Sequence, residues 1–255
     1  MSFGDKGAFF HQTTAPAARR LKGLIGSLLL LPAALFAAEG IDIPDEKPFL
    51  SPPAIRLVGQ TLYFDGLIQK ESVSVIEKML RSGDVSRISV NSMGGDTASA
   101  LTIGALLQRK KLDLVVRTVC ASACANYLFP AAYRKYIGPE SYLLWHGGIN
   151  SPPSQFALDL HGASLTREAF FQLPDVKALQ RRERRFYQRI GVNEKMPFCP
   201  QLEKNYQHQF PEKWFSYTPA ALEQLGVRRV VYQQAPVQWV SAMKTRHVVF
   251  ARPCR

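Results

Sequence analysis

Three short apolar runs, each rich in β-branched residues or leucine, stop at glycine or at small polar residues, and helical periodicity fills the gaps between them. The runs are RISVNS (87–92), LDLVVRTVC (112–120) and SYLLWHGG (141–148). Runs of this length and composition suit strands buried on both faces. Ahead of them, IRLVG and TLYFDG read as two more strands, set off by Gly59 and Gly66. Val73, Ile76, Met79 and Leu80 recur at helical spacing and stop before Gly83. After Gly94 and Gly95, Asp96 or Thr97 is positioned to cap a helix reaching Lys110. ACANYLFPAA opens another helix directly after Ser122, RKYIG (134–138) adds a strand, PAALEQLGV is a short helix closed by Gly226, and RRVVYQQ is a final strand. Strands alternating with helices require crossover connections, so the expected class is α/β, a largely parallel sheet flanked by helices.

The chain has 255 residues, 46% hydrophobic and 20% charged, which is enough for one sizeable core and excludes a disordered polar chain. Its formal charge is +12, of which residues 1–38 contribute +3 (four Lys and Arg against Asp5) and the remainder +9. No zinc-finger, RRM or glycine-rich phosphate motif accompanies that charge, so nucleic acid is not an expected partner. No cofactor and no metal are expected either. A helix over 165–190, kinked around Pro174, carries Arg181, Arg182, Arg184, Arg185 and Arg189, and this basic face reads as solvated surface. INSPPSQ (149–155) reads as a loop, and 192–217 shows no period.

The N-terminus bears on location. Arg19, Arg20 and Lys22 precede an uncharged run of 16 residues, Gly23 to Ala38, ending in small residues. A basic flank, an apolar stretch and small residues before a cut form the layout of a signal peptide. The run is shorter than the roughly 20 residues of a membrane-spanning helix. Residues 1–38 therefore read as a signal peptide or an uncleaved membrane anchor, with 23–38 as the possible tether. Residues 39–54, rich in proline and acid, read as a linker, and 55–255 as the folded domain. The expected location is exported: periplasmic, or anchored and facing the periplasm. Export permits disulfides among Cys120, Cys124, Cys199 and Cys254. Cys199 and Cys254 lie in proline-flanked segments suited to pairing, whereas Cys120 and Cys124 bracket Ser122 either as a bond or as buried thiols.

Two places join a sheet edge to reactive chemistry. In NSMGG a strand ends in consecutive glycines, which leave amide N–H groups free for an oxyanion. In CASAC, Ser122 sits between a strand and a helix N-terminus, where developing negative charge is favoured. A serine needs a base, and His146 closes the apolar strand YLLW. In this order the segments resemble the ClpP/crotonase superfamily, and within it the proteolytic subunit of the Clp protease. TLYFDGLI is similar to that family's first strand, and ISVNSMGGDTASALTIGALL to its strand–glycine–helix unit, with Met93 where the family has proline. CASACANYL is similar to the segment holding the nucleophile and YLLWHGG to the strand delivering the histidine, 24 residues on. WFSYTPAALEQLGVRRVV is similar to the closing segment.

The resemblance covers about residues 56–232 and implies β-β-α units, with Ser122 as nucleophile and His146 as base. It places the oxyanion hole at the N–H groups of Gly95 and Ala123. For the acid it implies an aspartate shortly before the closing segment; the carboxylate available there is Glu212, with Asp159 as an alternative in the loop after the histidine. The helix at 165–190 would serve subunit contact, making a homo-oligomer the expected assembly and a peptide or unfolded protein the expected substrate. Export would separate such an enzyme from ATP, so it would act without an unfoldase. Three alternatives compete: crotonase-type thioester chemistry, a Ser–Lys pair using Lys135, and a catalytically degenerate relative that binds peptides or partners.

Overall fold

The computed structural model describes residues 41, 47–155, 166–211 and 213–255. The leader assigned to 1–38, most of 39–46, Asp159 and Glu212 lie outside the described residues. A helical turn, α1 (Lys47–Leu50), leads into the hairpin β1 (Ala54–Val58) and β2 (Thr61–Asp65). Leu67 N donates to Ser51 O, and Phe49 packs against the core. Part of the segment expected to be linker is thus bound to the domain.

The chain then alternates as expected: α2 (Lys70–Ser82), β3 (Arg87–Ser92), α3 (Thr97–Lys110) and β4 (Asp113–Ala121). After β4 come a π-helical turn (Cys124–Leu128), α4 (Phe129–Ala131), β5 (Lys135–Ile137) and β6 (Tyr142–Leu144). The basic helix is broken at Leu173 into α5 (Arg167–Gln172) and α6 (Pro174–Ile190). Proline fits the first turn of α6 because the missing N–H has no intrahelical partner there. The main sheet runs β1-β2-β3-β4-β5-β8, where β8 is Val230–Tyr232. β1 is antiparallel to β2, and every other pairing is parallel. This is the expected α/β class.

One strand organises the site. β4 is nine residues long and changes neighbour halfway: Leu114–Val116 pair with β5, and Val119–Ala121 pair with β6. Its other edge carries a bulge, because Val90 faces Val116 but Ser92 faces Cys120. Polar side chains hold that bulge. Asn91 Oδ1 accepts from Thr118 N at 2.7 Å, Asn91 Nδ2 donates to Asp65 at 3.1 Å, and Arg117 pairs with the same carboxylate. Extra residues bend a strand and re-aim the residues beyond the bend. Here they bring the end of β4 level with the end of β3.

The segment 192–217, without a period in the sequence, contains a 3-10 stretch (Met196–Leu202), α7 (Tyr206–Gln209) and β7 (Ser216–Tyr217). α8 (Pro219–Gln224) follows where PAALEQ reads as helix. The C-terminus adds α9 (Pro236–Thr245), which buries Trp239 and Met243, and β9 (Phe250–Ala251), which pairs with β7. A Cys199–Cys254 disulfide ties this tail down. Among the described residues no helix is long and apolar enough to cross a membrane.

Candidate active site

Ser122 is the residue at which β4 becomes helix. Its amide donates to Leu144 O on β6, and its carbonyl accepts from Asn126 N. Its φ is +52°, a left-handed conformation that non-glycine residues seldom adopt. Strain of this kind persists only where surrounding structure over-determines it. Two constraints do so here: the Cys120–Cys124 disulfide spans the turn, and Gly94 presses against it. Of the two states that the sequence allows for these cysteines, the structure has the bond, and both disulfides fit an exported protein.

β6 delivers the partner. Leu144 is in register with Ala121, so the chain leaves β6 beside the Ser122 turn, and His146 Nε2 lies 2.7 Å from Ser122 Oγ. That is hydrogen-bond distance for a hydroxyl donating to an unprotonated ring nitrogen. Burial pushes the imidazole down to about 4, so the ring is neutral at pH 7 and able to accept a proton. The ring is held from several sides. Trp214 tilts over it at 4.3 Å between centroids, and Trp145 exchanges two 2.8 Å backbone hydrogen bonds with Phe215. Gln201 Nε2 donates to His146 O, and Asn126 Nδ2 donates to Gly147 O, both at 2.8 Å.

The glycine turn stands against the same corner. Ile68 N donates to Gly94 O, and Asp96 N donates to Ile68 O. In a parallel bridge this turns the N–H of the intervening Gly95 away from Ile68. Ala123 begins the helical turn, where N–H groups have no intrahelical acceptor. A cleft at Ala123 is lined by Thr97, Ser122, Ala123, Asn126, His146 and Gly148.

Gly94 has φ +99°, and a Cβ there would meet Ala123 N and Ser122 Cβ at 2.7 Å. Gly94→Ala is therefore expected to shift the Ser122 turn and slow labelling of Ser122 by an acylating probe by ~10²–10³-fold, the scale of a lost oxyanion donor. Gly59 is the control, since its φ is also positive (+55°) but a Cβ there meets nothing within 4 Å. Gly59→Ala should cost about 1 kcal/mol of stability and leave the labelling rate unchanged. Equal labelling rates for the two variants would detach the glycine turn from the site.

One alternative requires correction. Lys135 lies on β5, in register with Leu114 at the start of β4, whereas Ser122 follows the end of β4. With the bulge in β4 allowed for, those levels lie ~20 Å apart along the sheet. A Ser122–Lys135 pair is excluded by this placement. The arginine face of α6 is solvated as expected, with Arg181, Arg184, Arg185 and Arg189 exposed and Arg182 half-buried, but the acid among them points inward. Glu183, inside RRERR, is 1% exposed, with Tyr127 Oη and Asn150 Nδ2 both donating to it at 2.5 Å. Asn150 N also donates to Glu183, and Tyr187 Oη donates to Asn126 O. α6 thereby fixes both the loop after His146 and the π-helical turn after Ser122. A lone acid among five arginines was the available signal for Glu183. Trp214 carried no signal in the sequence, because its contact with His146 is purely tertiary.

No protein-family model matches the chain, and no curated protein matches it. Among solved structures it is similar to a mutant of ClpP1 from Listeria monocytogenes, at 15% identity and a TM-score of 0.45, over 70% of this chain and 94% of that one. It is also similar to two mutants of the 1510-N membrane-bound stomatin-specific protease, both at 12% identity. One has a TM-score of 0.38, over 70% of this chain and 83% of that one. The other, in complex with a substrate peptide, has a TM-score of 0.40 over 69% and 74%.

Proposed function

We propose that this chain is a ClpP-like serine peptidase that works through an acyl-enzyme, with Ser122 as nucleophile and His146 as general base. The observation that carries the reading is the 2.7 Å Ser122–His146 contact at a strained strand-to-helix turn beside consecutive glycines. In this mechanism Ser122 Oγ attacks the peptide carbonyl as its proton passes to His146 Nε2. The carbonyl oxygen, now negative, takes hydrogen bonds from Gly95 N–H and Ala123 N–H. Collapse breaks the C–N bond, and the amine leaves with the proton from His146. Water, deprotonated by the same imidazole, then releases the acid product and restores Ser122.

Glu212 is our choice for the acid. Its sequence neighbours Trp214 and Phe215 border His146 and Trp145, which supports an acid drawn from this segment. Asp159, also outside the described residues, is the lesser choice because it follows the histidine instead of preceding the closing segment. We further propose that the enzyme is exported, acts on peptides or unfolded proteins without ATP, and assembles with copies of itself.

The test is a fluorophosphonate probe on the folded full-length chain, with the modified residue located by peptide mass spectrometry. A single adduct on Ser122 is expected. A folded protein that never labels would favour the degenerate, peptide-binding reading.

A further inference from the structure

At the opposite end of the sheet from Ser122 is a second cleft, of ≈ 560 Å³, bordered by Lys111, Lys135, Arg189, Arg228 and Arg229. We propose that it binds a phosphate group, carried by a soluble phosphorylated compound or by a lipid headgroup.

Five basic residues line this cleft, no Asp or Glu does, and among the described residues none of the five has a carboxylate at ion-pair distance. Glu223 borders a separate cleft that shares Arg228 and Arg229. A fold can leave arginines solvated at little cost, but Lys135 is a different matter. It is 5% exposed, and its Nζ donates to Arg228 O at 2.9 Å. A buried ammonium without a counter-charge is costly. Burial and the neighbouring Arg229 push Lys135 down to about 8, so at pH 7 most of it still carries the charge.

Backbone and aromatic contacts hold the rim in place. Among the described residues, Lys111 and Arg229 are two of the five non-glycine residues with positive φ, at +51° and +57°. Both therefore adopt left-handed conformations beside one cleft. Arg229 is also stacked on Tyr133, with its guanidinium carbon 4.3 Å from the ring centroid. A multiply charged oxyanion suits a cleft lined by five basic residues better than a single carboxylate, and guanidinium groups bind phosphate oxygens in pairs.

Two variants test this without endangering the fold. Lys135→Met keeps the buried stem and deletes the charge. Arg229→Gly relieves the left-handed backbone and deletes the guanidinium. Both proteins, unliganded, should melt no lower than wild type, and Lys135→Met should melt higher. Pyrophosphate titrated calorimetrically into the full-length chain at constant ionic strength should bind wild type at least tenfold more tightly than either variant. Arg184→Ala, on an exposed arginine outside the cleft, should leave the affinity unchanged.

Co-sedimentation with phosphatidylglycerol vesicles forms a second arm, with phosphatidylcholine vesicles as control. Binding of pyrophosphate identifies a soluble phosphorylated ligand. Binding only of anionic vesicles, lost in both variants, identifies a headgroup. Failure of wild type to bind either, or equal binding by wild type and both variants, overturns the site. Probe labelling of Ser122 is a separate readout, so loss of this cleft does not bear on the peptidase reading.

Discussion

Ser122→Ala is expected to abolish fluorophosphonate labelling and to lower peptide hydrolysis by ~10⁵–10⁶-fold, with His146→Ala causing a loss of the same order and the double variant no more than either alone. That non-additivity follows from the geometry. The hydroxyl and the imidazole share one hydrogen bond of 2.7 Å, and neither performs the step without the other. The fold should survive. Alanine keeps the Cβ that already tolerates φ +52°, and the Cys120–Cys124 bond remains to enforce the turn. Melting within a few degrees of wild type would show that chemistry alone was removed. Residual hydrolysis near the wild-type rate in Ser122→Ala would place the nucleophile elsewhere.

Glu212→Gln should have the next largest effect, lowering kcat by ~10⁴-fold with little change in stability. Its pH dependence separates an orienting acid from a bystander. Burial alone holds His146 at about 4. A carboxylate on the other ring nitrogen favours the imidazolium and raises that value. Neutral imidazole is the working form, so wild-type kcat/KM falls as pH drops through the raised value. In Glu212→Gln the acid limb should slide to lower pH, toward about 4, while the plateau falls. A folded-state value below the ordinary 6.5 also has a sign for stability. Between 6.5 and the folded value the unfolded chain binds the extra proton, so stability is lost as pH falls through that window. Superimposable acid limbs, with plateaus within tenfold, would rule Glu212 out.

The features readable from the amino acids alone are those with a local signature. The apolar runs 87–92, 112–120 and 141–148 announce buried strands, and Gly94 and Gly95 announce the turn. Because parallel strands tend to end on one side of a sheet, Ser122 and His146 at two such ends are legible as neighbours. The rest depends on contacts distant in sequence. Asn91 looks like any polar strand end, yet its side chain holds the bulge that sets the level of Ser122. β7 and β9 are two residues each, too short to show any period. Glu183 stands out in sequence only as an acid inside an arginine run whose bulk composition resembles solvated surface, and its burial is visible only in the structure. Lys135 sits one strand from Ser122 in connectivity, and only register reveals that it stands at the other end.

The change of neighbour along β4 has a consequence for how such a chain can diverge. Its first half is braced by β5 and β8, and its second half by β6, with the Asn91 bulge between them. Substitutions around β5 and β8 can therefore alter which ions gather at one rim while the serine and histidine tips keep their spacing. One continuous strand gives the molecule two addresses that selection can rewrite separately.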